Sequence, residues 1–237
     1  MGQQRHNVVV EGRRFLTTVY MAWPLWPKNT VKYHDTPQGI LTESGIWYRT
    51  TVNLLNEYAA EVFKREPIET HLARADTWIR SPHTLSAWLL ALGLIYYNPW
   101  QIAVVVLGFF LGWQILAPAL VNRRVSSLLR ILDSVLMQAI LYAGTMSILA
   151  MTGRYQAVAV GLIGFVCLRW GILSYLMRPL IIRCWKAMYR LPVPDHILRA
   201  FIVRTALRHG INLADFADIE QKIIQNVFKK KAPRGRK

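Results

Sequence analysis

Two charged residues of this sequence fall inside long apolar stretches, where charged side chains are costly and are usually paired or functional. Asp133 lies five residues after Leu128, where its stretch begins, and Arg169 lies eight residues before Met177, where its stretch ends. In helices, these depths place both charges about 8 to 12 Å from the same boundary. We therefore expect an intramembrane ion pair between Asp133 and Arg169. The alternative is that each side chain extends separately to nearby headgroups.

Other patterns that carry chemistry are absent from the sequence. It contains no HExxH, GxxxxGK[ST], GxSxG, GxGxxG or CxxC pattern. Its two cysteines, Cys167 and Cys184, fit neither a disulfide framework nor the spacing of metal ligands. We expect no enzyme activity, no catalytic residue, no metal site and no cofactor. The one expected small-molecule ligand is phospholipid, with cardiolipin as a candidate.

The composition combines a strong positive charge with a high apolar content. Lys and Arg number 29 against 13 Asp and Glu, which gives a net charge of +16, yet 53% of the residues are hydrophobic. A disordered basic chain has few apolar residues, and a soluble nucleic-acid-binding domain rarely carries so many. The balance is typical of a membrane protein with basic flanks.

Four apolar segments of the central region predict membrane-spanning helices. They cover residues 82–97, 100–121, 128–152 and 155–177. Asn98 and Pro99 join the first pair, and Gly153 and Arg154 join the second, in turns too short for anything except antiparallel neighbours. The predicted fold class is an all-α polytopic membrane protein with two transmembrane hairpins, amphipathic helices and an extended aromatic N-terminal segment. The first span, of about 24 Å, is short for a bilayer.

The distribution of basic residues predicts the orientation of the spans. The loop between the hairpins carries Arg123 and Arg124, whereas the opposite side carries only Arg154. By the positive-inside rule, this loop and both termini lie on one side of the membrane. We expect an inner mitochondrial membrane protein with both termini in the matrix. The alternative is an endomembrane protein with both termini in the cytosol.

Changes in composition divide the chain into five parts. Residues 1–50 are rich in Trp, Tyr and Pro and show no helical or strand period, so we expect an extended peripheral segment. It would lie on a partner subunit or at the membrane interface, the alternative being a loop packed on the protein's own helices. Residues 51–80 are predicted as amphipathic helices and residues 81–177 as the four-span domain. Residues 178–231 are predicted as basic amphipathic helices on the N-terminal side, followed by a basic tail, 232–237.

Basic residues beside the predicted spans indicate a surface for anionic lipid. After the last span, cations alternate with apolar residues such as Ile181 and Trp185, a pattern typical of helices in the headgroup layer. The predicted lipid-binding residues are Arg123, Arg124, Arg178, Arg183, Lys186 and Arg190. Nucleic acid is not an expected partner, because no RNA-binding signature accompanies the charge.

Each predicted span also carries small residues four positions apart, which let helices approach closely. The predicted helix-packing residues are Gly108, Gly112, Ala139, Ala143, Ala157 and Gly161. They favour a compact bundle or surfaces for partner helices.

These features together favour a non-catalytic accessory subunit of a large energy-transducing membrane complex, of the respiratory or ATP-synthase type. It would clamp neighbouring subunits and bind anionic lipid.

Two alternative functions remain. Two short-turn hairpins over residues 80–177, with both tails on one side, resemble in topology the Rab-acceptor family of trafficking proteins, which implies a membrane-shaping role. A small channel or carrier would need an aqueous path, which the spans do not suggest.

Overall fold

The computed structural model describes residues 25–212 together with residues 218, 221 and 222. The first 24 residues, most of the predicted helical region after residue 212 and the tail 232–237 lie outside the described residues. The strands are β1 (Tyr33–Thr36), β2 (Gly39–Thr42) and β3 (Trp47–Tyr48). The helices are α1 (Val52–Arg65), α2 (Ile68–Tyr96), α3 (Pro99–Leu120), α4 (Arg123–Leu132), α5 (Val135–Met151), α6 (Tyr155–Arg169), α7 (Ile172–Met188) and α8 (Val193–Arg208). The described chain is therefore mostly helical.

Residues 33–48 form a small antiparallel sheet in the order β1-β2-β3, which the all-α prediction missed. Ile40, Ile46 and Tyr48 are fully buried in the protein's own core, so the expectation of a segment extended over a partner was wrong for this part. Gly39 permits the sheet, because a Cβ there would lie 2.1 Å from the carbonyl oxygen of Tyr48. Strands of two to four residues are too short to show an alternating pattern.

Helix α2 runs without interruption through Pro82, where the sequence predicted a boundary between two helices. A proline inside a helix removes one N–H and leaves the carbonyl four residues earlier without its partner. Here the hydroxyl of Ser81 donates to that carbonyl, the oxygen of Trp78, at 2.7 Å. This local replacement lets a 29-residue helix continue across the predicted domain boundary at residues 80 and 81.

The buried apolar residues form two clusters, and α2 contributes to both. The peripheral core joins the sheet, α1, α4, α8 and the first half of α2, with Leu72, Trp78 and Phe201 among its buried residues. The bundle core joins α3, α5, α6 and the second half of α2, with Leu90 and Phe110 among its members. Helix α3 also reaches the peripheral core, through Ala117, but α2 contributes several residues to each cluster and is the main connection between the peripheral unit and the helical bundle.

Two of the predicted spans are broken where the sequence predicted continuous helices. Between α4 and α5 the axis bends by 59° at Asp133 and Ser134, and between α6 and α7 it bends by 60° at Trp170 and Gly171. The Ser134 side chain caps α5 by accepting from the N–H of Met137, and Gly171 adopts a left-handed φ of 66°. Capping residues and left-handed glycines end helices, which explains both breaks.

Helix α3 is long and apolar enough to cross a membrane by itself. Each bent pair is also long and apolar enough when its two helices are taken together as one span. The described residues therefore contain one clear candidate span and up to three. Without their bent partners, α5 has 17 residues and α6 has 15. They reach about 25 and 22 Å, less than the roughly 30 Å of a hydrocarbon core.

Candidate functional site

The first two thirds of α2 carry polar side chains that are buried between the two cores. Arg74, Asp76, Arg80, His83 and Thr84 are each at most 6% exposed. Buried polar groups need polar partners, and each of these side chains contacts a polar group outside α2. We call this region the polar junction, because it lies where the peripheral core meets the bundle.

The outer end of the junction is an arginine cluster around Glu66, the residue that ends α1. This carboxylate is 7% exposed and pairs with Arg74 of α2, Arg123 of α4 and Arg208 of α8. The contact with Arg123 measures 2.9 Å. One buried anion therefore joins the ends of four helices in the peripheral unit.

The middle of the junction attaches the sheet to α2 through Asp76. Its carboxylate accepts hydrogen bonds from the hydroxyls of Ser44 and of Tyr48, the latter at 2.6 Å. Burial raises the pKa of Asp76, while these hydrogen bonds oppose the rise. The two hydroxyls fix the orientation of the carboxylate and hold the sheet against the helix.

The inner end of the junction contains Asp133, which lies at the break between α4 and α5. The Nε of Arg80 is 3.3 Å from its Oδ2, and the hydroxyl of Thr84 donates to its Oδ1 at 2.6 Å. Arg169 is close enough to attract Asp133 electrostatically. Arg80 is a partner that the sequence analysis did not consider. The direct ion pair between Asp133 and Arg169 stays a prediction.

A neutral polar cluster follows one turn further along α2. The two ring nitrogens of His83 contact the Oγ of Ser174 at 2.6 Å and the carbonyl oxygen of Leu168 at 2.9 Å. Gln114 of α3 donates to the same Ser174 hydroxyl at 3.1 Å. These contacts bind α2 and α3 to the break between α6 and α7.

A cavity of about 330 Å³ opens beside the polar junction. Asp76, Arg80 and Asp133 line it on the helix side, and Lys28 and Glu43 line it on the side of the sheet. Lys28 and Glu43 form an ion pair of 3.7 Å and are 63% and 37% exposed. The exposed pair marks the mouth of the cavity, and the buried arginine marks its inner wall.

The cations predicted to bind lipid have two kinds of surroundings. Arg123 is engaged with Glu66, as described above. The side chains of the others, which are Arg124, Arg178, Arg183, Lys186 and Arg190, are exposed. After the 60° bend, α7 presents its cations together with exposed apolar residues such as Leu176 and Leu180. Lipid binding by this face stays a prediction.

The small residues predicted for helix packing also divide into two groups. Ala157 and Gly161 are buried, and a Cβ at Gly161 would lie 2.4 Å from the Cε of Met146. A Cβ at Gly108 or Gly112 would meet nothing within 4 Å. Ala139 and Ala143 are exposed on α5. Gly108, Gly112, Ala139 and Ala143 therefore face away from the bundle.

The opposite end of the bundle carries aromatic residues and one cation. Arg154 donates to the carbonyl oxygen of Ile95 at 2.6 Å, so it satisfies a last-turn carbonyl of α2. Tyr96, Trp100 and Tyr155 lie at this end and are 75%, 67% and 76% exposed. Such a ring of aromatics is typical of a membrane–water interface.

Sequence reasoning found Asp133 and Arg169 but missed Glu66, Asp76, Arg80 and His83 as a connected site. A weak signal existed, since Asp76, Arg80 and Thr84 recur at four-residue spacing and so share one face of a helix. The predicted boundary at residues 80 and 81 cut this face in two. Only the continuity of α2 makes it visible.

Comparison of the chain with protein-family models, with curated proteins and with solved structures finds no match.

Proposed function

We propose that this protein is a non-catalytic subunit that holds neighbouring subunits of a large membrane complex in place. The observation that carries the proposal is that α2 belongs to both hydrophobic cores. A helix shared in this way fixes a peripheral unit at a set position and angle relative to a membrane bundle. This is the property that a scaffold subunit requires.

The polar junction supports a rigid connection. Glu66 and Asp76 hold α2 to other elements of the peripheral unit, and Asp133 and His83 hold it to the two helix breaks beside the bundle. Removing one partner from a buried ion pair typically costs about 3 to 5 kcal/mol. Movement of the peripheral unit relative to the bundle would break the contacts of Asp133 and of His83, so the two units would move as one body.

The outward-facing small residues support contacts with partner helices. Gly108 and Gly112 on α3 leave open space where a neighbouring helix could approach closely, and Ala139 and Ala143 do the same on α5. Large apolar side chains beside them are exposed, among them Val104 at 72% and Ile140 at 58%. Lipid or a partner subunit would cover these faces in a membrane.

The finer parts of the proposal concern topology and location. We propose four spans, formed by the second half of α2, α3, α5 and α6, with both flanks on the basic side. The complex would be energy-transducing, of the respiratory or ATP-synthase type, in the inner mitochondrial membrane with both termini in the matrix. A net charge of +16 suits a membrane rich in anionic lipid such as cardiolipin.

The test is a native gel in mild detergent, with mass spectrometry of the band that contains this protein. We expect co-migration with respiratory or ATP-synthase subunits. A double variant, Gly108→Leu with Gly112→Leu, should lose these partners while the protein still inserts into membranes. Ser127→Leu, an exposed position on α4, is the control and should keep them.

Migration of the wild-type protein by itself, or with small GTPases and coat proteins, would contradict the proposal. Unchanged partners in the double variant would exclude the α3 surface as the site of contact.

A further inference from the structure

The cavity beside the polar junction contains hydrogen-bond donors that the described residues leave unused. Arg80 is 6% exposed, and its Nη1 has no hydrogen-bond partner among those residues. Its Nε faces Asp133 at 3.3 Å without the alignment of a hydrogen bond. Arg130 also lines the cavity and donates from Nη1 to Asn29 at 2.6 Å, but its Nε is without a partner there. Buried guanidinium donors without acceptors are costly unless a ligand supplies the acceptors.

The charged groups around the cavity are equal in number, with three cations, Lys28, Arg80 and Arg130, and three acids, Glu43, Asp76 and Asp133. Asp133 faces Arg80, Glu43 pairs with Lys28, and Asp76 accepts from two hydroxyls. Arg130 forms no ion pair within the described residues, and Arg74 and Arg80 lie within electrostatic range of it. What the wall leaves without a partner among those residues is therefore guanidinium N–H donors, which an anionic oxygen would satisfy.

The volume and position of the cavity narrow the choice of ligand. A space of about 330 Å³ is roughly ten times the volume of a water molecule, so it admits a phosphate group together with atoms attached to it. The cavity reaches Ser134, the residue that caps the apolar helix α5. If α5 enters the bilayer, this is the level of the lipid headgroups. Arginines bind phosphate through several N–H groups at once, whereas a carboxylate offers only two oxygens.

We propose that this cavity binds the phosphate group of a phosphorylated ligand, with Arg80 and Arg130 as its donors and Lys28 at its mouth. The group could belong to a lipid headgroup or to free phosphate. This site is distinct from the exposed basic face of α7, and it does not depend on the proposed scaffold function, because binding is measured on the isolated protein.

The test is thermal unfolding of the delipidated full-length protein in a non-ionic detergent. Three probes are added: sodium phosphate against sodium chloride at equal ionic strength, phosphatidic acid in mixed micelles, and diacylglycerol with the same acyl chains. We expect phosphatidic acid to raise the melting temperature and diacylglycerol to leave it unchanged. A rise with sodium phosphate as well would assign the site to free phosphate too.

The key variant is Arg130→Gln, because the described partner of Arg130 is the neutral Asn29, and the change leaves no buried carboxylate unpaired. We expect it to weaken the apparent affinity for the phosphate probe about tenfold or more. Arg65→Gln, which replaces an exposed arginine at the end of α1, is the control and should bind as the wild type does. A second variant combines Arg80→Gln with Asp133→Asn, so that neither charge is left alone, and should show the same loss.

The proposal is overturned if no phosphate-bearing probe raises the melting temperature. It is also overturned if Arg130→Gln and Arg65→Gln respond equally, because the effect would then come from surface charge.

Discussion

At the scale of single residues, the buried carboxylates decide how the peripheral unit is held together. Glu66, Asp76 and Asp195 are each at most 7% exposed, and each connects segments that are distant in the sequence. Taking a charge out of water is costly, so a mutation that removes one partner leaves the other buried without compensation and destabilises the folded protein. This distinguishes them from the exposed pairs on the same helices.

Glu66→Gln should destabilise the protein by about 3 to 5 kcal/mol, because the buried Arg74 would lose its charged partner. The matched control is Glu61→Gln, which removes an exposed pair with Lys64 on the same helix and should leave the stability nearly unchanged. The measurement is denaturant unfolding in detergent, followed by tryptophan fluorescence. Equal effects of the two variants would show that the arginine cluster adds nothing to stability.

Asp195 gives the peripheral unit a dependence on pH. The residue is 3% exposed, and its Oδ1 accepts from the backbone N–H of Arg49 at 2.8 Å. Burial is the main cause that raises its pKa to about 7, from an ordinary value of 3.8. The unfolded chain therefore releases this proton at lower pH than the folded one does. Its contribution to stability is complete below about pH 4 and is lost as the pH rises through about 7.

The variant Asp195→Asn has no carboxyl group to ionise here, so it should not lose stability in this way as the pH rises. The difference in stability between the variant and the wild type should therefore grow in favour of the variant between about pH 4 and pH 7, by at most about 4 kcal/mol. Melting temperatures of both proteins across this range provide the check. His71, whose pKa is lowered to about 4 by burial and by Arg74, has the opposite slope but is present in both proteins. Parallel curves for the two proteins would contradict the assignment to Asp195.

At the scale of elements, the two breaks explain why charged residues occur within apolar stretches. Asp133 is the residue that ends α4, and Arg169 is the last residue of α6. Both therefore lie where backbone groups already need polar partners. The charges mark the ends of two short helices, α5 and α6, on the side of the polar junction.

Packing between α2 and α3 depends on the absence of a side chain at Gly93. A Cβ there would lie 2.2 Å from the Cδ1 of Ile102 and 2.4 Å from its Cγ1, and Ile102 is itself buried. Gly93→Ala should force this hairpin apart and destabilise the bundle by about 1 to 3 kcal/mol, as overpacking commonly does. Gly108→Ala, on the open face of α3, should be neutral or slightly stabilising. The melting temperatures of the two variants in detergent provide the comparison. A Gly93→Ala variant as stable as the wild type would show that α2 and α3 pack differently.

At the scale of the whole molecule, the bundle lies between two polar levels. One level is the junction, with Asp133 and Ser174, and the other is the tip, with Arg154 and exposed aromatics. Two of the helices between them, α5 and α6, are short for a bilayer, since α6 reaches only about 22 Å. Crossing would require local thinning of the membrane, at a cost of fractions of a kcal/mol per Å.

The four-span proposal predicts that the tip and α1 lie on opposite sides of the membrane. Met151 at the tip is 89% exposed, and the Lys64 side chain on α1 is 68% exposed. In a background of Cys167→Ser and Cys184→Ser, we introduce Met151→Cys or Lys64→Cys. A maleimide that cannot cross the membrane should label only one of them in sealed vesicles, and both after detergent is added. Labelling of both in sealed vesicles would indicate that the tip and α1 lie on the same side, so that the hairpins do not cross the membrane.

The sequence by itself determined that this is a mostly helical chain with a helix able to span a membrane. Apolar length and composition are local properties, and they decide whether a segment can reside in lipid. The turns at Asn98 and Gly153 were equally visible, because tight connections have a strong local signature. The side chain of Asn98 does cap α3, by accepting from the N–H of Trp100 at 3.0 Å.

Only the tertiary structure decided what the polar residues of α2 do. The sequence predicted a helix start at Pro82, but the hydroxyl of Ser81 compensates for the proline and the helix continues. The partner of Asp76 is Tyr48, 28 residues away, and that of Arg80 is Asp133, 53 positions along the chain. Pairs at such separations leave no periodic pattern in the sequence. They are fixed by which elements pack together, because burial makes a partner obligatory without specifying which one.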